Sequence, residues 1–235
     1  MSSQSARIRI PRNLTALMQH MQRQVTSGHF YYVTDAIPRE KLAGFVDKWQ
    51  PVFQLRADAP ARAYRRKTGR ASVHLCLHPD ALAGAATVSW WMLSTEGVNG
   101  LRSASRVPGA VRDCRTQEGR LRYQDYELLA QAKIYTEPSG KVKTETTWTW
   151  RISPARYREW EAMLVERARQ RDGVEVRHLF ECLCAMPMFA GVRAQVSRLA
   201  WETNKVLQKV GGAPIELGDL PTMLMIKLWA DGGEI

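Results

Sequence analysis

Apolar residues in the first hundred positions form short runs and alternations that are typical of β-strands. The aromatic and β-branched run 30–33 predicts a first strand. Segment 72–78, where apolar and polar residues alternate, predicts a second strand with one polar face. Segment 87–94 is apolar on both alternating faces, which predicts a third strand covered on both sides. Between the first two strands, apolar residues at helical spacing after Pro38 predict a helix that Pro51 ends or bends.

Further along the chain the pattern first continues as strands and then becomes helical. Three later strands are predicted at 120–126, 128–135 and 143–152, and the turn-forming residues 137–140 join the last two as a hairpin. Beyond residue 152 the apolar residues recur at helical spacing, which predicts a bundle of three helices.

The ends of these helices are marked by capping and helix-breaking residues. Ser153 and Pro154 start the first helix, Pro187 ends the second, and Gly211 with Gly212 ends the third. The tail from Met223 to Trp229 is apolar enough for either a strand or a helix, and periodicity does not distinguish them.

The order strand, helix, strand, strand at the amino-terminal end predicts an α+β fold. It matches the first part of the split βαββαβ sandwich, the ferredoxin-like arrangement of many RNA-binding modules. We therefore expect a ferredoxin-like, nucleic-acid-binding domain over residues 1–152 and a helical domain over 153–235, to which the tail adds a strand or a helix.

Charge adds a class of partner to this picture. The 235 residues include 34 Lys and Arg against 23 Asp and Glu, a formal charge of +11. Such an excess attracts polyanions, so nucleic acid is the expected partner, although it also serves solubility alone. No apolar stretch is long enough to span a bilayer, and the polar start lacks the apolar run of a signal peptide, so we expect a cytoplasmic protein without a membrane partner.

The candidate nucleic-acid-binding residues lie mainly in two basic segments. Segment 56–70 is predicted as a phosphate-tracking loop, because guanidinium groups bind phosphate oxygens in pairs. Segment 101–122, rich in Ser, Gly and Pro, is predicted as a mobile arm that orders on RNA. The candidates are Arg23, Arg62, Tyr64, Arg65, Arg66, Lys67, Arg70, Arg102, Arg106, Arg112, Arg115, Arg120 and Arg122. Tyr31, Tyr32 and Tyr64 are expected to stack on unpaired bases.

Histidines supply the candidate chemistry. His74 and His78 share the polar face of the second predicted strand, about 13 Å apart by strand rise, and His20 and His29 precede it. His29, His74 and His78 are the candidate catalytic residues, since metal-independent RNA cleavage needs a base, an acid and cations near the phosphate. Whether the chain is an endoribonuclease stays open at this point.

Metal and cofactor chemistry is not expected. No P-loop, dinucleotide fingerprint or clustered carboxylate set is present, and the four cysteines form no zinc knuckle. Cys182 and Cys184 are expected to be buried thiols. We therefore predict no metal and no cofactor.

The strand-helix-strand-strand order, the Arg-rich insert and the strand histidine resemble the RAMP-type RNA-binding proteins of CRISPR systems, which include repeat-processing enzymes. In these enzymes a glycine-rich loop lies near the carboxyl terminus, and the chain departs from that pattern, because Gly211 and Gly212 through Gly218 match it poorly. The resemblance implies a subunit of a ribonucleoprotein that binds a structured or single-stranded RNA and cleaves it without a metal.

Two alternatives remain open from the sequence. The runs 14–32 and 188–196 resemble proteins borne on plasmids and integrative elements of proteobacteria. That likeness favours a DNA-binding accessory or target-recognition subunit of a plasmid-borne or CRISPR system, whose helical part contacts duplex DNA. The other alternative is a structural subunit whose basic loops contact an acidic protein.

Overall fold

The computed structural model describes residues 7–216, 218, 220–222 and 225–234. Backbone contacts divide the chain into two compact units. Unit 1 comprises residues 1–120 together with 225–235, and unit 2 comprises residues 121–224. Unit 2 is thus an insertion, in sequence, between the main part of unit 1 and its last segment.

Unit 1 combines helices with a four-stranded antiparallel sheet and a two-stranded ribbon. Its elements are β1 (Arg9–Pro11), α1 (Leu14–Thr26), β2 (Tyr31–Pro38), α2 (Leu42–Phe53), α3 (Ala59–Lys67), β3 (Val73–Leu77), β4 (Thr87–Ser94), β5 (Arg112–Asp113) and β9 (Trp229–Glu234). The three predicted strands and the helix after Pro38 are confirmed, and Pro51 lies inside the last turn of α2.

The predicted loop over 56–70 is wrong, because its centre is the helix α3. Asp58 caps this helix by accepting a hydrogen bond from Ala61 N at 2.8 Å, and Pro60 occupies the first turn. Both are ordinary helix-start signals. The prediction missed these two signals because it relied on the many charged residues of the segment.

The sheet has the order β3-β4-β2-β5, with all neighbours antiparallel. Residues Tyr31 and Ser94 are paired at one end of the β2–β4 ladder, and Val73 pairs with the same Ser94 from the other side. β3 and the short β5 are therefore the edge strands, and β3 is the edge that faces the candidate site described below.

Both faces of this sheet are buried. On one face, α2 packs its apolar stripe on a core that includes Val33, Leu75 and Trp90. On the other, Cys76 and Leu93 are at most 1% exposed. The polar face predicted for this strand is covered, because α1 contacts β3.

The second basic segment is also built into unit 1 rather than extending as an arm. Leu101 is buried in the core, Val107 and Val111 pack against it, and the two residues of β5 pair with β2. The backbone N of Cys114 donates to Phe30 O at 2.9 Å. The apolar residues between the arginines hold this segment in place, which the prediction of a mobile arm overlooked.

A strand begins only at Trp229, the last residue of the predicted tail, and residues 225–228 are in neither a helix nor a strand. β9 pairs antiparallel with β1, joining Arg9 to Glu234 and Pro11 to Trp229 across a bulge. Leu228, just before β9, is buried. Residues 223 and 224, where the predicted apolar tail begins, lie outside the described residues.

Unit 2 contains a long hairpin and three helices. Its elements are β6 (Arg122–Tyr123), β7 (Tyr126–Thr136), β8 (Val142–Ile152), α4 (Pro154–Arg169), α5 (Gly173–Cys184) and α6 (Ala190–Lys209). The hairpin and all three helices are confirmed, with Gly140 at φ +81° in the turn and Ser153 capping α4.

The hairpin belongs with the helices by contact. Gly191 N donates to Thr149 Oγ1 at 3.0 Å, and the Gln195 amide bonds both the N and the O of Ile152, at 2.7 and 3.0 Å. The division between units therefore falls before the hairpin, whereas the sequence placed a boundary after residue 152. Within the described residues, no helix is long and apolar enough to cross a membrane.

Candidate nucleic-acid interface

A cavity of about 940 Å³ lies in unit 1 beside the edge strand β3. Residues of β1, α1, the 55–62 stretch, β3 and β9 line it, and we call it the histidine pocket. Its charged and aromatic lining residues are Arg7, Arg9, His20, Arg23, Arg56, Asp58, Arg62, His74, Trp229 and Glu234. Elements from both ends of the sequence thus meet around one cavity.

Three imidazoles form a chain, of which His20 and His74 line this pocket and His29 lies against His74. The ring centroids of His29 and His74 are 4.8 Å apart, and those of His74 and His20 are 6.1 Å apart. The Trp229 indole packs edge-on against His20 at 4.7 Å. His20 and His29 are 6% and 2% exposed, so only His74 and one side of His20 are open to a ligand in the cavity.

Hydrogen bonds fix the tautomer of His29. Its Nδ1 lies 3.0 Å from the backbone O of Gln24, which can only accept, so Nδ1 donates. Its Nε2 is then the acceptor, 3.3 Å from Ser72 Oγ. These bonds hold the His29 ring against His74.

Burial keeps the three imidazoles neutral. It is the main cause that lowers the pKa of His20 to about 3 and of His29 to about 4, and it also lowers the pKa of His74. The nearby guanidinium groups of Arg23, Arg62 and Arg66 act in the same direction. At neutral pH these rings are therefore uncharged, and they are weak bases.

The positive charge of the pocket is only partly compensated. Five arginines and two acids line it. Arg7 and Arg9 lie 3.5 and 3.7 Å from the Glu234 carboxylate, and Arg56 pairs with Asp47 at 2.9 Å.

Arg23 and Arg62 differ from these three, because neither forms an ion pair within the described part of the chain. Arg62 Nη2 donates to Leu55 O at 2.8 Å, and its Nε is buried without a hydrogen-bond partner among the described residues. Burial lowers the pKa of Arg62 as well. A partly desolvated guanidinium that lines a cavity and has no ion-pair partner is a binding group for an anion.

The remaining candidates of the first basic segment lie on α3 and in the turn after it. Tyr64 is 67% exposed, and Arg66, Lys67 and Arg70 are exposed too. Arg65 is 6% exposed, and its Nε donates to Ala71 O at 2.7 Å. It ties α3 to the start of β3, and its burial leaves no surface for a nucleic acid, contrary to expectation.

The second basic segment contributes a separate cluster around Tyr31. The Tyr31 hydroxyl accepts from Arg102 at 3.0 Å and from Arg115 at 2.8 Å. Arg115 also forms a two-pronged bond with Asp113, which lowers the pKa of that carboxyl. Tyr31 and Tyr32 are 3% and 2% exposed, so the prediction that they stack on bases is wrong.

The other candidates differ in their surroundings. Arg106 and Arg112 are exposed, Arg120 accepts from the Tyr32 hydroxyl through its backbone O at 3.1 Å, and Arg122 belongs to unit 2. His78 is not among the residues that line the histidine pocket. Its Nδ1 accepts from Asp80 N at 3.2 Å and caps a short turn, so the structure separates it from His29 and His74.

Comparison of the chain with protein-family models, with curated proteins and with solved structures found no match. The geometry of the pocket is therefore the feature that indicates a function. Among the described residues, no group of three or more His, Cys, Asp or Glu side chains is arranged to hold a metal.

Several pocket residues were not among the candidates from the sequence. No sequence pattern marked Arg7, Arg9, Arg56 or Trp229 as a binding residue, and His20 was not among the candidate catalytic histidines. His20 and Arg23 are three apart in α1 and share one face, a signal that the sequence did contain. The participation of Trp229 depends on the β1–β9 pairing, which no local pattern predicts.

Proposed function

We propose that the chain binds nucleic acid, with RNA favoured, through the histidine pocket and the exposed side of α3. The observation that carries the proposal is the pocket itself, where five arginines meet two acids and neither Arg23 nor Arg62 has an ion-pair partner among the described residues. Arg66, Lys67 and Arg70 extend the positive surface along α3 and the turn after it. Phosphate groups along a strand are the ligand that such a surface favours.

The strand order supports a ferredoxin-like relationship for unit 1. In the order β3-β4-β2, strand β2 lies beside β4, and helices connect β2 to β3. The split βαβ arrangement has the same order for its first three strands. The fourth position holds only the two residues of β5, and no helix precedes it between Ser94 and Arg112. Because both sheet faces are buried, RNA would lie along the edge and over α3, and not across an open sheet.

The pocket places cations near a bound phosphate, but its histidine is not suited to proton transfer at neutral pH. Burial and the guanidinium groups of Arg62 and Arg66 lower the pKa of His74, so this imidazole is a weak base and is not protonated to act as an acid. Binding is therefore the function proposed first, in the cytoplasm and within a ribonucleoprotein as the sequence suggests. We expect cleavage only where a bound phosphate compensates these guanidinium groups.

The hairpin of unit 2 favours a second candidate, a DNA-binding accessory subunit. The outer half of β7 and β8 is exposed, with Ile134 at 70% and Val142 at 63%. A two-stranded ribbon of this kind fits the major groove of duplex DNA. Its charges are mixed, with Lys143 paired to Glu137, which makes it a weaker polyanion surface than the pocket.

The test measures binding of a mixed-sequence RNA hairpin and a DNA duplex of the same sequence over a series of salt concentrations. The double substitution Arg62→Ala with Arg66→Ala removes two positive charges from the proposed surface. We expect weaker RNA binding and a salt dependence shallower by about one to two phosphate contacts. The matched control, Arg167→Ala with Arg169→Ala, removes two exposed charges from α4 in unit 2.

Each alternative has its own result. Equal loss in both double variants would show that only net charge matters and would refute the pocket as the interface. Tighter binding to the duplex, lost on shortening the β7–β8 hairpin, would favour the DNA candidate. Binding to neither nucleic acid would leave an acidic protein as the partner.

A further inference from the structure

Two guanidinium groups of the histidine pocket have no acidic partner among the described residues, namely those of Arg23 and Arg62. Of the other three pocket arginines, Arg7 and Arg9 share the Glu234 carboxylate and Arg56 pairs with Asp47. Asp58 lowers the charge near Arg62, but its carboxylate caps α3 and is not within ion-pair distance. The five arginines exceed the three carboxylates of Glu234, Asp58 and Asp47 by two charges, so the pocket favours a ligand with about two negative charges.

A phosphate monoester carries that charge, whereas a phosphodiester does not. A monoester holds about −1.5 to −2 near pH 7 and offers three acceptor oxygens. A phosphodiester within a strand holds one negative charge and two free oxygens. The guanidinium groups of Arg23 and Arg62, which line the cavity without an acidic partner among the described residues, supply several donors, which suits the three oxygens of a monoester.

The shape of the pocket favours a group that enters from one side. Its bottom is made of buried residues, with Leu55 at 2%, Leu75 at 6% and His20 at 6% exposed. Its rim is made of Arg7 and Arg9, whose side chains are 75% and 58% exposed. A terminal phosphate can reach the bottom, but an internal diester would have to pass in and out with its neighbouring nucleotides.

The aromatic wall adds a place for the attached nucleoside. Trp229 lines the cavity and packs on His20, which also lines it. Base and aromatic rings stack with useful affinity and little sequence preference. The cavity volume of about 940 Å³ is large enough for a nucleotide, since small-molecule pockets span about 300–1,000 Å³.

We infer that the histidine pocket binds a phosphate monoester, either the terminal phosphate of a nucleic acid strand or a free nucleotide. Arg23 and Arg62 bind the phosphate, and neutral His74 donates or accepts a hydrogen bond at its side. For the strand end, this inference rests on the proposed function. For the free nucleotide it stands independently of it.

The test compares one single-stranded RNA in three forms, with a 5′-phosphate, with a 3′-phosphate and with hydroxyl groups at both ends. Adenosine monophosphate, adenosine and inorganic phosphate serve as competitors. We expect one phosphorylated form to bind about tenfold or more tightly than the hydroxyl form. We also expect adenosine monophosphate to compete and adenosine to fail.

Variants connect this preference to the two arginines. Arg62→Ala and Arg23→Ala should each reduce the preference for the phosphorylated end, while Arg167→Ala should leave it unchanged. Arg62→Lys keeps the charge but loses the planar fork, so it should retain the fold and only part of the preference. Circular dichroism and thermal unfolding confirm that each variant is folded.

The possible failures are distinguishable. Equal affinity for phosphorylated and hydroxyl ends, with RNA binding intact, would overturn the monoester site and leave the proposed function standing. Competition-sensitive binding of adenosine monophosphate with no binding of any strand would overturn the proposed function and support the nucleotide site. A preference that survives Arg62→Ala and Arg23→Ala together would place the phosphate elsewhere and refute the inference.

Discussion

Acidification should unfold unit 1 before unit 2, because its three buried imidazoles are neutral in the folded state. In the unfolded chain a histidine has an ordinary pKa of about 6.5, whereas burial lowers the pKa of His20 to about 3 and of His29 to about 4. Between these values the unfolded chain binds more protons than the folded one. Stability is therefore present above about pH 6.5 and is lost as the pH falls towards 4.

The magnitude follows from the width of this window. Each pH unit in which only the unfolded chain is protonated costs about 1.4 kcal/mol per histidine. Lowering the pH from 7 to 5 should thus remove about 2 kcal/mol for each of His20 and His29, about 4 kcal/mol together. His74 adds to this loss in the same direction. The sum is a large share of the roughly 5–15 kcal/mol that stabilises an ordinary domain.

Urea-dependent hydrogen exchange, followed by mass spectrometry, measures the two units separately. Peptides from α1 and β3 report unit 1, and peptides from α6 report unit 2. His20→Gln and His29→Gln should each reduce the pH dependence of unit 1 by about 2 kcal/mol, whatever they do to its absolute stability. His178→Gln, on the exposed side of α5, should not change it.

Two results would refute this reasoning. One is a free energy of unfolding for unit 1 that changes by less than about 1 kcal/mol between pH 7 and pH 5. The other is the same pH dependence in His20→Gln as in His178→Gln. Protonation of carboxylates does not affect the comparison. Its contribution to the pH dependence of the free energy of unfolding is the same in all variants and cancels in the difference.

Two further predictions concern packing and thiol access. Gly191→Ala would place a Cβ 2.6 Å from Trp150 O, so it should destabilise unit 2 by about 1–3 kcal/mol; Gly44→Ala in α2 meets nothing within 4 Å and should stabilise by up to about 1 kcal/mol. Thermal unfolding compares the two, and a shift in the same direction would contradict the contact argument. Iodoacetamide should modify exposed Cys182 well before Cys76, whose pKa burial raises to about 12, and equal rates by mass spectrometry would contradict the fold.

The sequence predicted those elements whose signals are local. Alternating and two-sided apolar runs identified β3 and β4, and the turn at 137–140 identified the hairpin. Capping at Ser153 and the glycines after α6 gave the ends of the helices. In each case the residues that form the element also mark its boundaries.

What the sequence did not predict depends on contacts between distant residues. The polar face of β3 is covered by α1, and polarity alone does not reveal a covering helix. Cys182 was expected to be buried and is exposed, because its helix turns that side outward. The pocket combines His20, Arg62 and Trp229, whose separation along the chain exceeds any motif length.

The pairing of β1 with β9 also affects how the protein is made. During synthesis β1 emerges early, but its hydrogen-bonding partner is not available until all of unit 2 has been translated. Closing a flexible loop of that length costs roughly 5 kcal/mol of chain entropy, which early folding of unit 2 would reduce. The wall of the histidine pocket that contains Trp229 is therefore added last. A ribosome-bound nascent chain can contain folded helices and the central sheet while it still lacks a complete pocket.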